Sequence, residues 1–143
     1  MLLKRSLVFF VLVASSCTSF GTRDTAQEVD DILAERSYTF VFTYEGCFGG
    51  GTETLAVRDK KIAIHTFPVF GEVDRVKEKI DTLPWTREKE TLLREICMTG
   101  IHFPDTFGGC TTTTQYQLAG VWKFVAFTDR DCALSEMIER LVK

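Results

Sequence analysis

The sequence is poor in histidine, from which metal and acid–base sites are often built. Its 143 residues include only two histidines. Neither a Cys-x-x-Cys nor a His-x₃-His spacing occurs, so we expect no metal ion and no cofactor. The formal net charge is −3 and no basic patch stands out, which argues against nucleic-acid binding. After the N-terminal segment, no apolar run approaches the about 20 residues that a transmembrane helix needs.

The N-terminal segment has the order of a secretory signal peptide. Lys4 and Arg5 form a short positive stretch, an unbroken apolar run covers residues 7–14, and small residues follow. The apolar run is too short to span a bilayer. We therefore predict that residues 1–16 direct export and are then removed.

The next residue is Cys17, and here the segment resembles a bacterial lipoprotein signal. Ser15 and Ser16 match the small residues before the lipidated cysteine, whereas Ala14 stands where leucine is usual. The resemblance implies that Cys17 carries lipid and holds the protein on the outer-membrane or periplasmic side of the cell envelope. Ala14 and Ser16 also satisfy the ordinary signal-peptidase pattern, so a soluble periplasmic or secreted protein is the alternative.

The chain has five cysteines, an odd number that calls for an explanation in an exported protein. If Cys17 carries lipid or is removed, four remain, and four can form two disulfides in an oxidising compartment. We predict that Cys97, near the end of one helix, pairs with Cys132 at the start of another. Cys47 then pairs with Cys110, which requires the two strand ends beside them to be neighbours in the sheet.

Length and patterning indicate one folded domain after the signal. Residues 17–25 are predicted to form a tether, and residues 26–143 have the length of a single domain. Strands come first, followed by a helix, a hairpin and a last helix. This order predicts an α+β fold, with an antiparallel sheet of four to five strands and helices packed on one face.

The strands are predicted from alternating hydrophobicity. Residues 38–44 alternate most clearly, and residues 58–61 are predicted to connect the hairpin that follows. Residues 72–83 fit either a helix or a charged edge strand, and we favour the strand. A second hairpin is predicted around residues 119–120.

Three helices are predicted from capping residues and helical spacing. The first would be capped by Thr25, although an ordered tether also fits this stretch. The second is capped by Thr86 and ends at Gly100. The third closes the chain. The second and third helices are expected to bury Leu92, Leu93, Ile96, Cys97, Leu134, Met137, Ile138 and Leu141.

The stretch GCFGGGTETLAVRDKKIA resembles the strand, loop and hairpin that open small, uncharacterised bacterial envelope domains. Those domains often carry Cys-Phe/Tyr-Gly-x-Cys-Pro, of which Cys47, Phe48 and Gly49 match. Gly51 and Thr52 stand in place of the second cysteine and the proline. The resemblance implies an order of elements, namely a hairpin, a helix, two strands and a last helix, and it implies no activity.

Candidate catalytic residues are scattered. A small envelope hydrolase would need His102 together with loop carboxylates such as Asp105 and Glu45. A nucleophilic Cys–His pair would need a thiolate, which a paired cysteine cannot supply. The remaining candidates, namely His65, Glu53, Asp129 and Asp131, form no pattern, and we assign no catalytic residue from the sequence.

Two short stretches, residues 46–51 and 107–110, each join a cysteine, a phenylalanine and glycines. A disulfide between them would hold two Phe-bearing loops side by side. Because large aromatic side chains dominate binding hot spots, we predict a contact surface for an envelope protein partner. Its residues are Phe48, Gly49, Gly50, Phe107 and Gly108. The expected function is a non-catalytic binding or inhibitory domain, with a small hydrolase or a purely structural envelope component as alternatives.

Further aromatic residues fall outside the best strands or at a strand end. They would either seal the ends of the core or contribute to the contact surface. Besides the two phenylalanines of the predicted surface, they are Phe67, Phe70, Trp85 and Phe103.

Overall fold

The computed structural model describes residues 24–46, 49–70, 76–103 and 112–143. Within them the chain forms three helices and six strands. The helices are α1 (Thr25–Ala34), α2 (Arg87–Gly100) and α3 (Ser135–Val142). The strands are β1 (Tyr38–Gly46), β2 (Gly49–Arg58), β3 (Ile62–Phe70), β4 (Val76–Pro84), β5 (Thr112–Ala119) and β6 (Phe124–Asp129).

The strands form one sheet in the order β4-β3-β2-β1-β5-β6, with every neighbouring pair antiparallel. The predicted α+β class is confirmed, but the sheet has six strands instead of four to five. Of the segment 72–83, for which we favoured a strand, the described residues 76–83 belong to β4, which pairs with β3 along its length, and residues 72–75 lie outside the described residues. Its charged side chains suit an edge, where they discourage further strand pairing.

One face of the sheet carries the core. Along β1, Tyr38, Phe40 and Phe42 are buried and the residues between them are half-buried. Phe40 stacks on Tyr116 of β5 at a centroid distance of 5.9 Å, and Tyr116 stacks on Phe127 of β6 at 5.1 Å. Cross-strand aromatic pairs of this kind stabilise a sheet beyond the area that they bury.

The three helices supply the rest of this core. The buried cluster joins the strand residues to side chains of α1, α2 and α3, including Val29, Leu93 and Leu141. All eight side chains predicted to face inwards from the last two helices belong to the core or pack against it. Gly100, at the end of α2, lies so close to the Phe127 ring that a Cβ atom would collide with it.

The N-cap residue of α2 is the one predicted from the sequence, whereas the N-cap residue of α1 is not. Thr86 caps α2 by accepting a hydrogen bond from Lys89 N at 3.3 Å, as predicted. The first helix also forms, but Asp24 caps it in place of Thr25, accepting from Ala26 N at 3.1 Å. The predicted cap was wrong by one residue because two capping residues are adjacent in the sequence.

The turn between β2 and β3 lies where it was predicted. Asp59 and Lys60 have φ values of 52° and 53°. Two successive residues with positive φ match the tight hairpin turns whose twist suits the flanking strands.

Trp85 is a core residue. Its Nε1–H donates a hydrogen bond to the Tyr38 hydroxyl at 2.9 Å, and that hydroxyl donates to Glu90 at 3.2 Å. Burial, reinforced by the charge of Glu90, raises the pKa of Tyr38 well above its usual range. Phe103 also packs against the core. The interpretation that loop aromatics seal the core is therefore confirmed for these two aromatic side chains.

The predicted disulfide between Cys97 and Cys132 is wrong. The Cys97 thiol is free and fully buried among the core side chains, where burial raises its pKa to about 12. Cys132 lies instead at the end of the sheet, with its sulfur 3.7 Å from the carbonyl oxygen of Thr112 at the start of β5. The even number of cysteines besides Cys17 no longer argues for two disulfides, since a free Cys97 leaves an odd number of them to be paired.

The face of the sheet opposite the core is rich in threonine. Thr39, Val41 and Thr43 of β1 point to this face and are half-buried. The hydroxyls of Thr43 and Thr52 lie 3.1 Å apart across the β1–β2 pair. Among the described residues, no helix is long and apolar enough to cross a membrane.

Candidate functional site

Most residues of the predicted contact surface lie outside the described residues. These are Phe48, Phe107 and Gly108, and the same holds for Cys17, Cys47 and Cys110. Gly49 and Gly50 are described, at the start of β2. Gly50 makes a close backbone approach, since a Cβ atom there would lie 2.6 Å from the carbonyl oxygen of Tyr44.

The strand ends beside this predicted surface are neighbours. Gly46, the last residue of β1, pairs with Gly49 on one side and with Thr112 on the other. The condition set for a Cys47–Cys110 bond is therefore met, although the bond itself lies outside the described residues. Cys132 belongs to the same end of the sheet and is disulfide-bonded.

The residues proposed for a hydrolase do not form a site in the part of the chain that is described. His102 is exposed, and its Nδ1 lies 2.7 Å from the Met98 carbonyl oxygen at the end of α2. Glu45 is exposed on β1, and Asp105 lies outside the described ranges. This geometry gives His102 a role at the helix end.

Asp129 is buried for a structural reason. Only 1% of the residue is exposed. Its carboxylate accepts hydrogen bonds from the backbone N–H groups of Asp131, Ala133 and Leu134 at 3.0, 3.2 and 2.9 Å. These bonds organise the turn that leads into α3, whose own N-cap residue makes no side-chain bond. A carboxylate so fully occupied is poorly placed for acid–base work.

His65 and Glu53 form a pair that the sequence did not reveal. His65 Nε2 lies 2.7 Å from Glu53 Oε2, and the imidazole is almost fully buried. The ring packs on Phe67 at a centroid distance of 4.7 Å, and the Lys79 ammonium lies 5.5 Å above the Phe67 ring. No other described side chain hydrogen-bonds to His65, so the described residues offer this pair no nucleophile to activate.

The most exposed large apolar side chains among the described residues lie on the opposite end of the sheet. Trp122 is 93% exposed and Val121 is 68% exposed. Both lie in the turn that joins β5 to β6, where polar residues and glycine are usual. We call Val121 and Trp122 the hairpin patch. The register of β1 with β5 puts the patch near Thr39 and the cysteine-rich end near Gly46, about 25 Å away along the strand.

The hairpin patch is held by contacts from the segment around the end of α1. Glu35 accepts a hydrogen bond from the Val121 backbone N–H at 2.8 Å, and Lys123 pairs with Asp31. A Cβ atom at Gly120 would collide with the Glu35 carboxylate, so glycine is needed there for the close approach. Neither Val121 nor Trp122 has the positive φ that the favoured two-residue hairpin turns require. The turn is therefore shaped by these tertiary contacts.

A surface groove of about 440 Å³ lies beside the patch. Its walls are the two patch side chains and residues 35–37. Arg36 lies at this groove and forms an exposed ion pair with Asp59, with Nε and Oδ1 2.5 Å apart. An apolar centre with charged groups around it is the usual anatomy of a protein-binding surface.

Sequence reasoning recognised the hairpin but missed its tip as a site. The available signal was the order Gly-Val-Trp-Lys, which puts two large apolar residues at the turn of a predicted hairpin. No protein-family model matches this chain, and no curated protein is similar to it. The resemblance to bacterial envelope domains therefore stays a prediction.

Proposed function

We propose that this protein is an exported, lipid-anchored domain of the bacterial cell envelope that binds a protein partner through the hairpin patch. Trp122 is the central contact and Val121 extends it. The groove beside them receives a side chain of the partner. In this proposal the domain captures or inhibits its partner without a chemical step.

The observation that carries the proposal is the exposure of Trp122 in an ordered turn. The side chain is 93% exposed, yet the turn below it is fixed by Glu35 and by the Asp31–Lys123 pair. A preorganised turn loses little conformational freedom on binding, so more of the contact energy remains as affinity. Tryptophan is also among the residues most enriched in binding hot spots. Exposed apolar side chains rimmed by polar groups are typical of interaction sites.

Export and anchoring are supported by features outside the hairpin. Residues 1–16 have the order of a signal peptide, and Cys17 follows small residues as in a lipoprotein signal. The disulfide of Cys132 supports an oxidising compartment, because disulfides persist there and are rare in the cytosol. The surface predicted around Phe48 and Phe107 stays a second candidate for contact.

The test is site-specific photo-crosslinking in intact cells. A photoreactive phenylalanine analogue replaces Trp122 in the full-length chain, which keeps its signal and Cys17. Irradiation is expected to join the chain to one partner of defined mass, identified by mass spectrometry. A matched control introduces the same analogue at Ile80, an exposed apolar residue (64%) on β4 at the far edge of the sheet.

An adduct at position 122 that is absent at position 80 would support the proposal. A Trp122→Ala variant in the purified chain should then lose at least tenfold in affinity for the identified partner, because truncation of a hot spot costs more than about 1.4 kcal/mol. No specific adduct at position 122 would leave a purely structural envelope component as the better description.

A further inference from the structure

The two edge strands of the sheet differ in how far their side chains discourage pairing with another chain. The outer strand β4 bears Lys77, Glu78, Lys79 and Asp81, which is a pattern that discourages pairing with another chain. The other outer strand, β6, carries no charged residue from Phe124 to Thr128. An uncharged, β-prone edge strand is a template for strand addition.

The backbone of β6 offers regularly spaced hydrogen-bonding groups along this edge. The Gly120 N–H donates to the Lys123 carbonyl at 2.9 Å, which makes these two residues a hydrogen-bonded pair. Hydrogen-bonded and non-bonded pairs alternate along an antiparallel ladder. Phe124, Ala126 and Thr128 are therefore the residues of β6 whose backbone N–H and C=O point away from β5. No described residue forms a hydrogen bond with these groups.

Space is available beside this edge. A cavity of about 350 Å³ lies on the flank of β6, bounded by residues 126–128, by Thr25 at the start of α1 and by the end of α2. The Ala126 side chain is exposed and points to the face of the sheet away from the core. The helices thus come near the edge without filling the cavity next to it.

We propose that a second copy of this chain adds to β6 as an antiparallel strand, with Ala126 opposite the Ala126 of the second copy. In this register Phe124 lies opposite Thr128, and Val125 lies opposite Phe127. The two sheets become one sheet of twelve strands around a two-fold axis perpendicular to it, with the helices of both copies on the same side.

The residues of β6 indicate both the binding partner, which is a second copy of the chain, and the register in which the two strands pair. A two-fold axis needs a self-complementary strand, and residues 124–128 can pair with themselves without placing charge against charge. A centre at Ala126 uses the outward groups of Phe124, Ala126 and Thr128 in both copies, which gives about six backbone hydrogen bonds. A two-fold axis at Val125 would pair only Phe124 with Ala126, and one at Phe127 only Ala126 with Thr128, so either centre gives about four such bonds. The paired residues exclude Val121 and Trp122, so this association leaves the hairpin patch available and does not depend on its function.

The first test is disulfide trapping in the full-length chain. A hydrogen-bonded antiparallel pair places Cα atoms about 5.5 Å apart, within the range of a disulfide. An Ala126→Cys variant should therefore form a covalent homodimer on a non-reducing gel, beyond any seen with the wild type. The matched control is Gln117→Cys, since Gln117 is the exposed β5 partner of Ala126, one strand away from the edge.

The second test removes the outward N–H group. Ala126→Pro deletes a donor that β5 does not use, so the six-stranded sheet is expected to stay folded by circular dichroism. The dissociation constant of the dimer, measured by light scattering, should rise at least tenfold, whereas Ala126→Val should keep the wild-type value. A wild-type chain that is monomeric at 100 μM, in a buffer where Ala126→Cys forms no dimer, would overturn the proposal. A crosslink from position 126 to a different protein in cells, without homodimer, would also overturn it.

Discussion

Glu35 and Val121 are 86 positions apart in the chain, and the Glu35 carboxylate accepts the Val121 backbone N–H at 2.8 Å. This bond joins the end of α1 to the tip of the last hairpin. It shapes a turn whose own residues do not favour a tight turn. The exposed Trp122 thus depends on a residue from the other end of the domain.

Replacing Glu35 with alanine should loosen the hairpin. The change removes a charge-assisted acceptor at a partly exposed position, so the free energy of unfolding in urea should fall by roughly 1 kcal/mol. Photo-crosslinking from position 122 should weaken more strongly, because the patch loses its fixed orientation. Glu35→Gln keeps an acceptor oxygen and should stay close to the wild type. Equal crosslinking by all three chains would show that the bond does not order the patch.

Asp129 should be among the least replaceable carboxylates of the domain. Asp129→Ala leaves the buried backbone N–H group of Leu134 and the part-buried ones of Asp131 and Ala133 without their acceptor. We expect a loss of about 2–4 kcal/mol in the free energy of unfolding, measured by urea denaturation. Asp131→Ala is the matched control, since that side chain is exposed and should cost little. A wild-type stability for Asp129→Ala would contradict the structural role assigned here.

Stability should fall at alkaline pH because of Tyr116. Burial, with the charge of Asp129, raises the pKa of Tyr116 to about 12, against 10.0 for a free tyrosine. The unfolded chain therefore loses this proton at a lower pH than the folded chain, so the contribution is intact below pH 10 and is lost as the pH rises towards 12. Denaturation at pH 9 and pH 11 should show this loss, at about 1.4 kcal/mol per pH unit or less.

Tyr116→Phe separates this effect from general alkaline unfolding. The variant keeps the ring stacking on Phe40 and Phe127 but has no proton to lose. Its stability should depend less steeply on pH between 9 and 11 than that of the wild type. Parallel curves for the two chains would show that folding does not raise the pKa of Tyr116.

The cysteines should differ sharply in reactivity. Cys97 is buried and its thiol pKa is raised to about 12, so an alkylating reagent at pH 8 should modify it only after unfolding. Non-reducing peptide mapping should recover Cys132 in a disulfide peptide that does not contain Cys97. Rapid alkylation of Cys97 in the native chain would contradict its burial.

Cys17→Ala tests the anchor separately from the fold. Each lipid CH₂ group in the membrane contributes about 0.8 kcal/mol, so the loss of the acyl chains should move the protein from the membrane fraction to the soluble fraction. The described domain begins beyond this residue and should unfold at the same temperature as before. A variant that stays in the membrane fraction would show that something other than a lipid on Cys17 holds it there.

The local sequence pattern was enough to predict the helices and strands whose hydrophobic periodicity is strong. The alternation of β1, the helical spacing of α2 and α3 and the Thr86 cap were all predicted, because each depends on neighbours within a few residues. The charged edge strand β4 was harder, since an edge lacks the clean alternation of a half-buried strand. Residues 72–83 therefore fitted both a helix and a strand, with the strand favoured.

The sequence by itself determined the α+β class and the elements with strong periodicity, because short-range periodicity and capping specify them. Only the tertiary structure decided which cysteine is buried alone, which histidine meets a carboxylate and which aromatic side chain is left outside. Trp85 was predicted to lie outside the strands and Trp122 to lie in the second strand of the last hairpin, yet Trp85 is 5% exposed and Trp122 is 93% exposed. Exposure depends on which distant segments cover a residue, and here Tyr38 covers Trp85 while Glu35 fixes the turn that leaves Trp122 open.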